Sequence, residues 1–154
     1  MANLMYQDTV EKWGVFEVSV TGPKEGNPFV EQQLSATFCG NNETVTCEGF
    51  YDGGGIYRVR FMPSFEEKYT FHVVSSFGID ETGTFTVTAP AKGCHGPVRV
   101  ADTWHFAYED GTPYYPIGTT CYVWHLQPAE IMAQTLKTLS ESAFNKIRFC
   151  IFPK

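Results

Sequence analysis

No apolar run in this sequence approaches the ~20 residues needed to span a bilayer as a helix, which excludes a helical anchor within it. The N-terminus, MANLMYQDTVEKWG, lacks a basic end followed by an apolar segment. No secretory signal is therefore visible, and the expected compartment is the cytoplasm, or outside the cell if a signal has been removed. Basic residues are few and scattered: 11 against 17 acidic, for a net charge of −6. No basic patch interleaves with aromatics, so nucleic acid is not an expected partner. The five cysteines, Cys39, Cys47, Cys94, Cys121 and Cys150, are odd in number and form no C-x-x-C. That pattern argues against a disulfide framework and a structural zinc site, and buried reduced thiols are expected. His72, His95, His105 and His125 include no pair at i, i+4, so no helical metal site is expected. Nothing brings Cys94-His95 together with Cys121 as a thiol–imidazole couple. No cofactor is expected.

Aromatic residues, by contrast, are abundant: 13 Phe, 8 Tyr and 3 Trp. Cores and carbohydrate platforms both use aromatics, so position has to decide between them. From Trp13 to about Pro90 the apolar positions alternate with polar ones. Phe16, Val18 and Val20 alternate with Glu17, Ser19 and Thr21; Leu34, Ala36 and Phe38 with Ser35 and Thr37; Val59 and Phe61 with Arg58 and Arg60. The same holds for Tyr69, Phe71 and Val73 against Thr70 and His72, and for Phe85 and Val87 against Thr84, Thr86 and Thr88. A period of two means one buried and one wet face. Turn clusters such as Gly40-Asn41-Asn42 and Asp52-Gly53-Gly54-Gly55 separate the runs. About seven short strands at this spacing predict an antiparallel β-sandwich of immunoglobulin-like type over residues 10–90.

The alternation breaks in Ala89-Pro90-Ala91-Lys92-Gly93-Cys94-His95-Gly96-Pro97, and residues 91–97 are read as a linker. Beyond it, Asp110-Gly111 between apolar runs predicts a hairpin. Pro128 to Ser140 reads as a helix, with Ile131, Met132, Thr135, Leu136 and Leu139 on one face. Strands are expected on either side of it, at Tyr115 to Thr119 and Lys146 to Phe152, the second buried on both faces. A helix between two such strands is a βαβ unit of a parallel sheet. A barrel of eight such units takes about 250 residues, so residues 98–154 are expected to open a TIM-type barrel within a larger enzyme.

The loops after barrel strands carry chemistry. Tyr122 and Trp124, in the first such segment, could stack on a sugar ring or simply roof the barrel. His125 beside them is a candidate pocket contact, or a capping or solvated residue. Arg148 within an apolar strand is costly unless paired. A carboxylate inside the barrel is its natural partner, and none lies nearby in the sequence.

Asn145-Lys146-Ile147-Arg148, followed by a strand ending in proline, resembles the second barrel strand of retaining glycoside hydrolases of the large (β/α)8 clan. Glu109-Asp110-Gly111-Thr112-Pro113, Pro116-Ile117-Gly118-Thr119-Thr120, Thr135-Leu136-Lys137-Thr138-Leu139 and Phe152-Pro153-Lys154 are similar to the start of a DUF4038 or apiosidase-like barrel. In such proteins a DUF5060 β-sandwich commonly precedes the barrel, and Trp13-Gly14-Val15-Phe16-Glu17 resembles that module. The resemblance implies that Arg148 supports a catalytic nucleophile. It also implies that the acid/base and nucleophile carboxylates, about 5 Å apart in retaining enzymes, sit on later strands. No carboxylate in this chain matches either role: Glu109 and Asp110 lie in a hairpin turn. The resulting expectation is the N-terminal segment of a carbohydrate-acting enzyme, inactive by itself. The alternative is a non-catalytic sandwich that binds carbohydrate or acts as a spacer. The apolar side chains of residues 124–151 would normally face other barrel elements, so a homo-oligomer through this segment is also expected.

Overall fold

The computed structural model of the chain describes residues 4–151. The chain divides after Pro97 into two compact units. In the first, the alternating runs form strands β1 (Thr9–Glu11), β2 (Phe16–Thr21), β3 (Leu34–Cys39), β4 (Thr44–Glu48), β5 (Phe50–Gly53), β6 (Ile56–Phe61), β7 (Lys68–Ser75) and β8 (Asp80–Thr88). A single helical turn, α1 (Pro28–Glu31), precedes β3. The strands make two sheets, ordered β1-β8-β7-β3-β4 and β2-β6-β5. All pairings are antiparallel except β1 with β8. The fold is mainly β and contains a β-sandwich, in agreement with the class read from the alternation.

The sandwich core is made by the inward residues of that alternation. Phe16, Val18, Val20, Leu34, Ala36, Phe38, Tyr57, Val59, Phe61, Tyr69, Phe71, Val73, Phe85 and Val87 are all buried in one cluster. Phe38 stacks on Phe61 at 4.5 Å, and Phe85 stacks on Tyr69 at 5.3 Å. The Tyr69 hydroxyl donates to Glu43 Oε1 at 2.6 Å, and the same oxygen accepts from the Ser64 N–H. Burial first, and then this bond to a carboxylate, raise the Tyr69 hydroxyl well above the usual tyrosine range. One outward position departs from the expected pattern. Ser19 is only 6% exposed. Met5 exchanges both backbone bonds with it, at 3.0 and 2.9 Å, and Arg58 Nη1 covers its hydroxyl at 3.0 Å.

The outer face of the smaller sheet carries a charge network. Glu17 sits opposite Arg60, and Ser19 opposite Arg58. Arg58 bonds Glu17 through Nη1 and Asp52 through Nε at 2.6 Å, and Arg60 Nε donates to Glu17 at 2.7 Å. Partial burial pushes the Glu17 carboxyl up, but hydrogen bonds from Arg60 and then Arg58 outweigh it and hold the group below its ordinary 4.5. A depressed carboxyl stabilises the fold above the unfolded-state value, and that stability is lost as pH falls through the folded value. Glu17→Gln is therefore expected to lower stability by roughly 1 kcal/mol at neutral pH, with the gap to the parent closing below pH 4.5. Melting curves from pH 7 to 3 test this; a gap that widens in acid contradicts it.

The second unit contains an antiparallel ribbon, β9 (Val98–Val100), β10 (Phe106–Tyr108) and β11 (Pro113–Tyr114). Asp102 accepts from the N–H groups of Trp104 and His105 and turns β9 into β10. Gly111, at φ 88°, turns β10 into β11 at the Asp-Gly. After it come β12 (Gly118–Thr120), a 3-10 turn (Trp124–Leu126), helix α2 (Ala129–Ser140) and β13 (Lys146–Arg148). β12 and β13 pair in parallel around α2, a βαβ unit. No closed barrel is formed among the described residues, and no helix there is long and apolar enough to cross a membrane.

Several expectations for this unit need correction. The first strand is not Tyr115 to Thr119. Pro116 has no N–H for a ladder, and Tyr115–Ile117 is instead held by Asn145, whose side chain donates to the Tyr115 carbonyl at 2.7 Å and accepts from Ile117 N–H at 3.0 Å. The strand runs instead from Gly118 to Thr120, overlapping the expected one only at Gly118 and Thr119. The second strand ends at Arg148, and Phe152, Pro153 and Lys154 lie outside the described residues. Nor is that stretch buried on both faces: with β12 as its one partner strand, Phe149 and Ile151 are exposed. Pro128 caps α2 rather than starting it. The five cysteines are free but half-buried rather than buried.

Candidate functional site

The candidate site lies where β12 and β13 end together. Parallel pairing sets Gly118 beside Lys146 and Thr120 beside Arg148. The pleat puts these four on one face and Thr119 with Ile147 on the other. Ile147 lines an apolar cleft with Leu136, Leu139 and Phe144. The opposite face forms an open groove of about 530 Å³ that includes Thr120, Lys146 and Arg148. Arg148 is exposed, with no side-chain partner among the described residues. The expected desolvation cost therefore does not arise here: the guanidinium meets solvent.

Beyond the strands, the pairing continues through two further bonds, Cys121 N–H to the Arg148 carbonyl and Cys150 N–H to the Tyr122 carbonyl, both 3.0 Å. These bonds place Tyr122 beside Cys150. A hydrogen bond with the Cys150 thiol, and then that group's charge, raise the Tyr122 hydroxyl above its ordinary value. The Tyr122 side chain is itself exposed, with its ring free to meet a planar ligand. Trp124 and His125 are half-buried in the 3-10 turn. Both pack on Phe149, with ring centroids 6.1 and 5.2 Å away. Trp124 Nε1 and His125 Nδ1 are buried and have no partner among the described residues. An unpaired buried donor is costly.

The structure thus brings Tyr122, Trp124 and His125 onto one loop, next to the strand that carries Arg148. Sequence reasoning missed two contributors. Asn145 staples Tyr115–Ile117 to β13, and Phe149 is the ring on which Trp124 and His125 rest. The only sign of Asn145's role was an asparagine one residue ahead of a strand, a common hydrogen-bonding position. Glu109, expected in a solvated turn, pairs with Arg99 at 2.7 Å. Among the described residues no group of three or more His, Cys, Asp or Glu is placed to hold a metal ion.

Residues 9–76 match the family model described as DUF5060, a domain of unknown function. That span covers the sandwich as far as the end of β7. No curated protein matches the chain. Among solved structures, the chain is similar to a crystal structure described as "a putative glycoside hydrolase from Bacteroides vulgatus". The two share 46% sequence identity with a TM-score of 0.90 over 96% of this chain, and the chain spans 29% of the length of that protein.

Proposed function

We propose that this chain is the N-terminal part of a glycoside hydrolase, with the sandwich as an accessory domain. In this reading residues 10–90 form the accessory domain and residues 91–97 the linker. Residues 98–154 open a (β/α)8 barrel of the DUF4038 or apiosidase-like kind. The observation that carries the proposal is the 46% identity over 96% of the chain to the Bacteroides vulgatus protein. The parallel β12–α2–β13 unit supports it, because parallel pairs of this type build barrels. Tyr122 and Trp124 contact the sugar, and His125 lines the pocket beside them. Arg148 is a positioning residue: its free guanidinium holds the nucleophile carboxylate supplied by a later strand. The catalytic carboxylate pair is not assigned within this chain.

Three tests bear on the reading. The chain alone should turn over no aryl glycoside above a heat-inactivated control. Turnover that a mutation inside the chain abolishes would defeat the proposal. The coding sequence beyond Lys154 should continue in frame and supply carboxylates at strand ends. In that longer polypeptide Arg148→Ala should lower kcat by about 10²-fold or more, with KM nearly unchanged. An intact kcat would remove Arg148 from its role.

A second reading, a non-catalytic sandwich that binds carbohydrate or acts as a spacer, is favoured by one observation: the family match is confined to sandwich residues.

A further inference from the structure

An open groove of about 680 Å³ runs along the sandwich beside strand β2. Its lining includes apolar side chains, Met5, Tyr6 and Val15, which are 48%, 36% and 63% exposed, and polar ones, Gln7, Glu17 and Arg60. We propose that this groove is a glycan-binding site of the sandwich itself, taking a neutral oligosaccharide chain.

Three observations carry the inference. First, the Tyr6 ring is held in place. It stands edge-on to Phe16 and Phe71, with centroids 6.1 and 5.0 Å away, so the ring surface it shows to the groove is fixed before a ligand arrives. A fixed aromatic contact forms with little loss of side-chain entropy. Second, Arg60 is anchored through Nε to Glu17 and lies 5.0 Å from the Phe50 ring centroid. Its terminal nitrogens have no partner among the described residues, and Arg60 lines the groove, so unpaired donors are available there. Third, the charges balance. Glu17 and Asp52 match Arg58 and Arg60 one for one. A neutral pair offers hydroxyl groups both a donor and an acceptor, whereas a free anion or cation would meet a like charge beside every opposite one. The overall charge of −6 further disfavours acidic polysaccharides.

The backbone shapes the apolar lining. Trp13 adopts φ 65°, a left-handed conformation unfavourable for a bulky residue. It is held by a bond from its N–H to the Pro63 carbonyl at 3.0 Å, and Lys12 Nζ lies 4.5 Å from the ring centroid. The turn leaves Val15 projecting at the groove.

The site is separate from the barrel reading, and one experiment distinguishes them. Affinity electrophoresis of the full chain would use gels containing a β-glucan, a xylan, a galactomannan or polygalacturonate. At least one neutral polysaccharide should retard the chain and polygalacturonate should not. Arg60→Gln, which removes charge-assisted bonds, should weaken retardation about tenfold. Tyr6→Leu should do the same. Val15→Ala trims the apolar lining from an exposed position without removing an internal contact, and should weaken retardation severalfold while the melting temperature holds. No retardation by any neutral polymer, equal retardation in the Arg60, Tyr6 and Val15 variants, or preference for polygalacturonate would overturn the site. Loss of retardation in Tyr122→Leu alone would overturn it by moving binding to the barrel segment.

Discussion

Phe38→Ala is expected to destabilise the sandwich by about 3–5 kcal/mol. Phe38 is fully buried, stacked on Phe61 at 4.5 Å, and within 6.4 Å, centroid to centroid, of Phe16, Phe71 and Phe85. Truncation removes a ring that both sheets share and leaves a cavity that neighbouring rings, already in contact, have little freedom to fill. For a domain of this size that loss lowers the melting midpoint by at least about 12 °C. Phe38→Leu keeps most of the volume and should cost much less. Thr84→Ala, on the wet face of β8, should fall within about 0.5 kcal/mol of the parent. A midpoint for Phe38→Ala within about 3 °C of the parent would show that the aromatic cluster does not hold the sheets together.

The second large effect concerns association. Ile131 and Leu136 on α2 are 52% and 51% exposed, and Ile151 after β13 is 85% exposed. Covering apolar area gains ~25 cal/mol per Å², and among the described residues β13 pairs with β12 alone, which leaves its second edge open. We propose that the chain by itself self-associates through this surface. Sedimentation velocity at high micromolar concentration should show dimers or larger species, and Ile131→Lys with Leu136→Lys should return the monomer. A monomeric parent at that concentration defeats the proposal. In a longer polypeptide that builds a barrel, later elements cover the same side chains, so association should fade as the barrel is completed.

The sandwich core was legible because its strands are amphipathic. Where one face is buried and the other wet, a period of two is written directly into the residues, as in Phe16-Glu17-Val18 or Tyr69-Thr70-Phe71. Strands β1, β4 and β5 carry this signal weakly. They are short, of three to five residues, and their inward positions are only half-buried. The Glu17–Arg58–Arg60–Asp52 network was hidden for a different reason. Its members stand in separate strands, and opposite charges become partners only once register sets them side by side.

The candidate site divides in the same way. The helix of the βαβ unit was readable from its spacing, and Tyr122, Trp124, His125 and Arg148 from their places around it. Asn145 could not be seen to replace a strand partner for Tyr115–Ile117, because that depends on the register that brings it beside Ile117.

What the sequence determined by itself is the class of the fold and the membership of its core, because hydrophobic periodicity is local and survives without knowledge of any partner. What only the tertiary structure decided is which side chains from distant strands meet. That covers the burial of Ser19 under Met5, the exposure of Arg148 and the groove between Tyr6 and Arg60. Each depends on register and on what covers a face, and those are properties of the assembled sheets rather than of any stretch of residues.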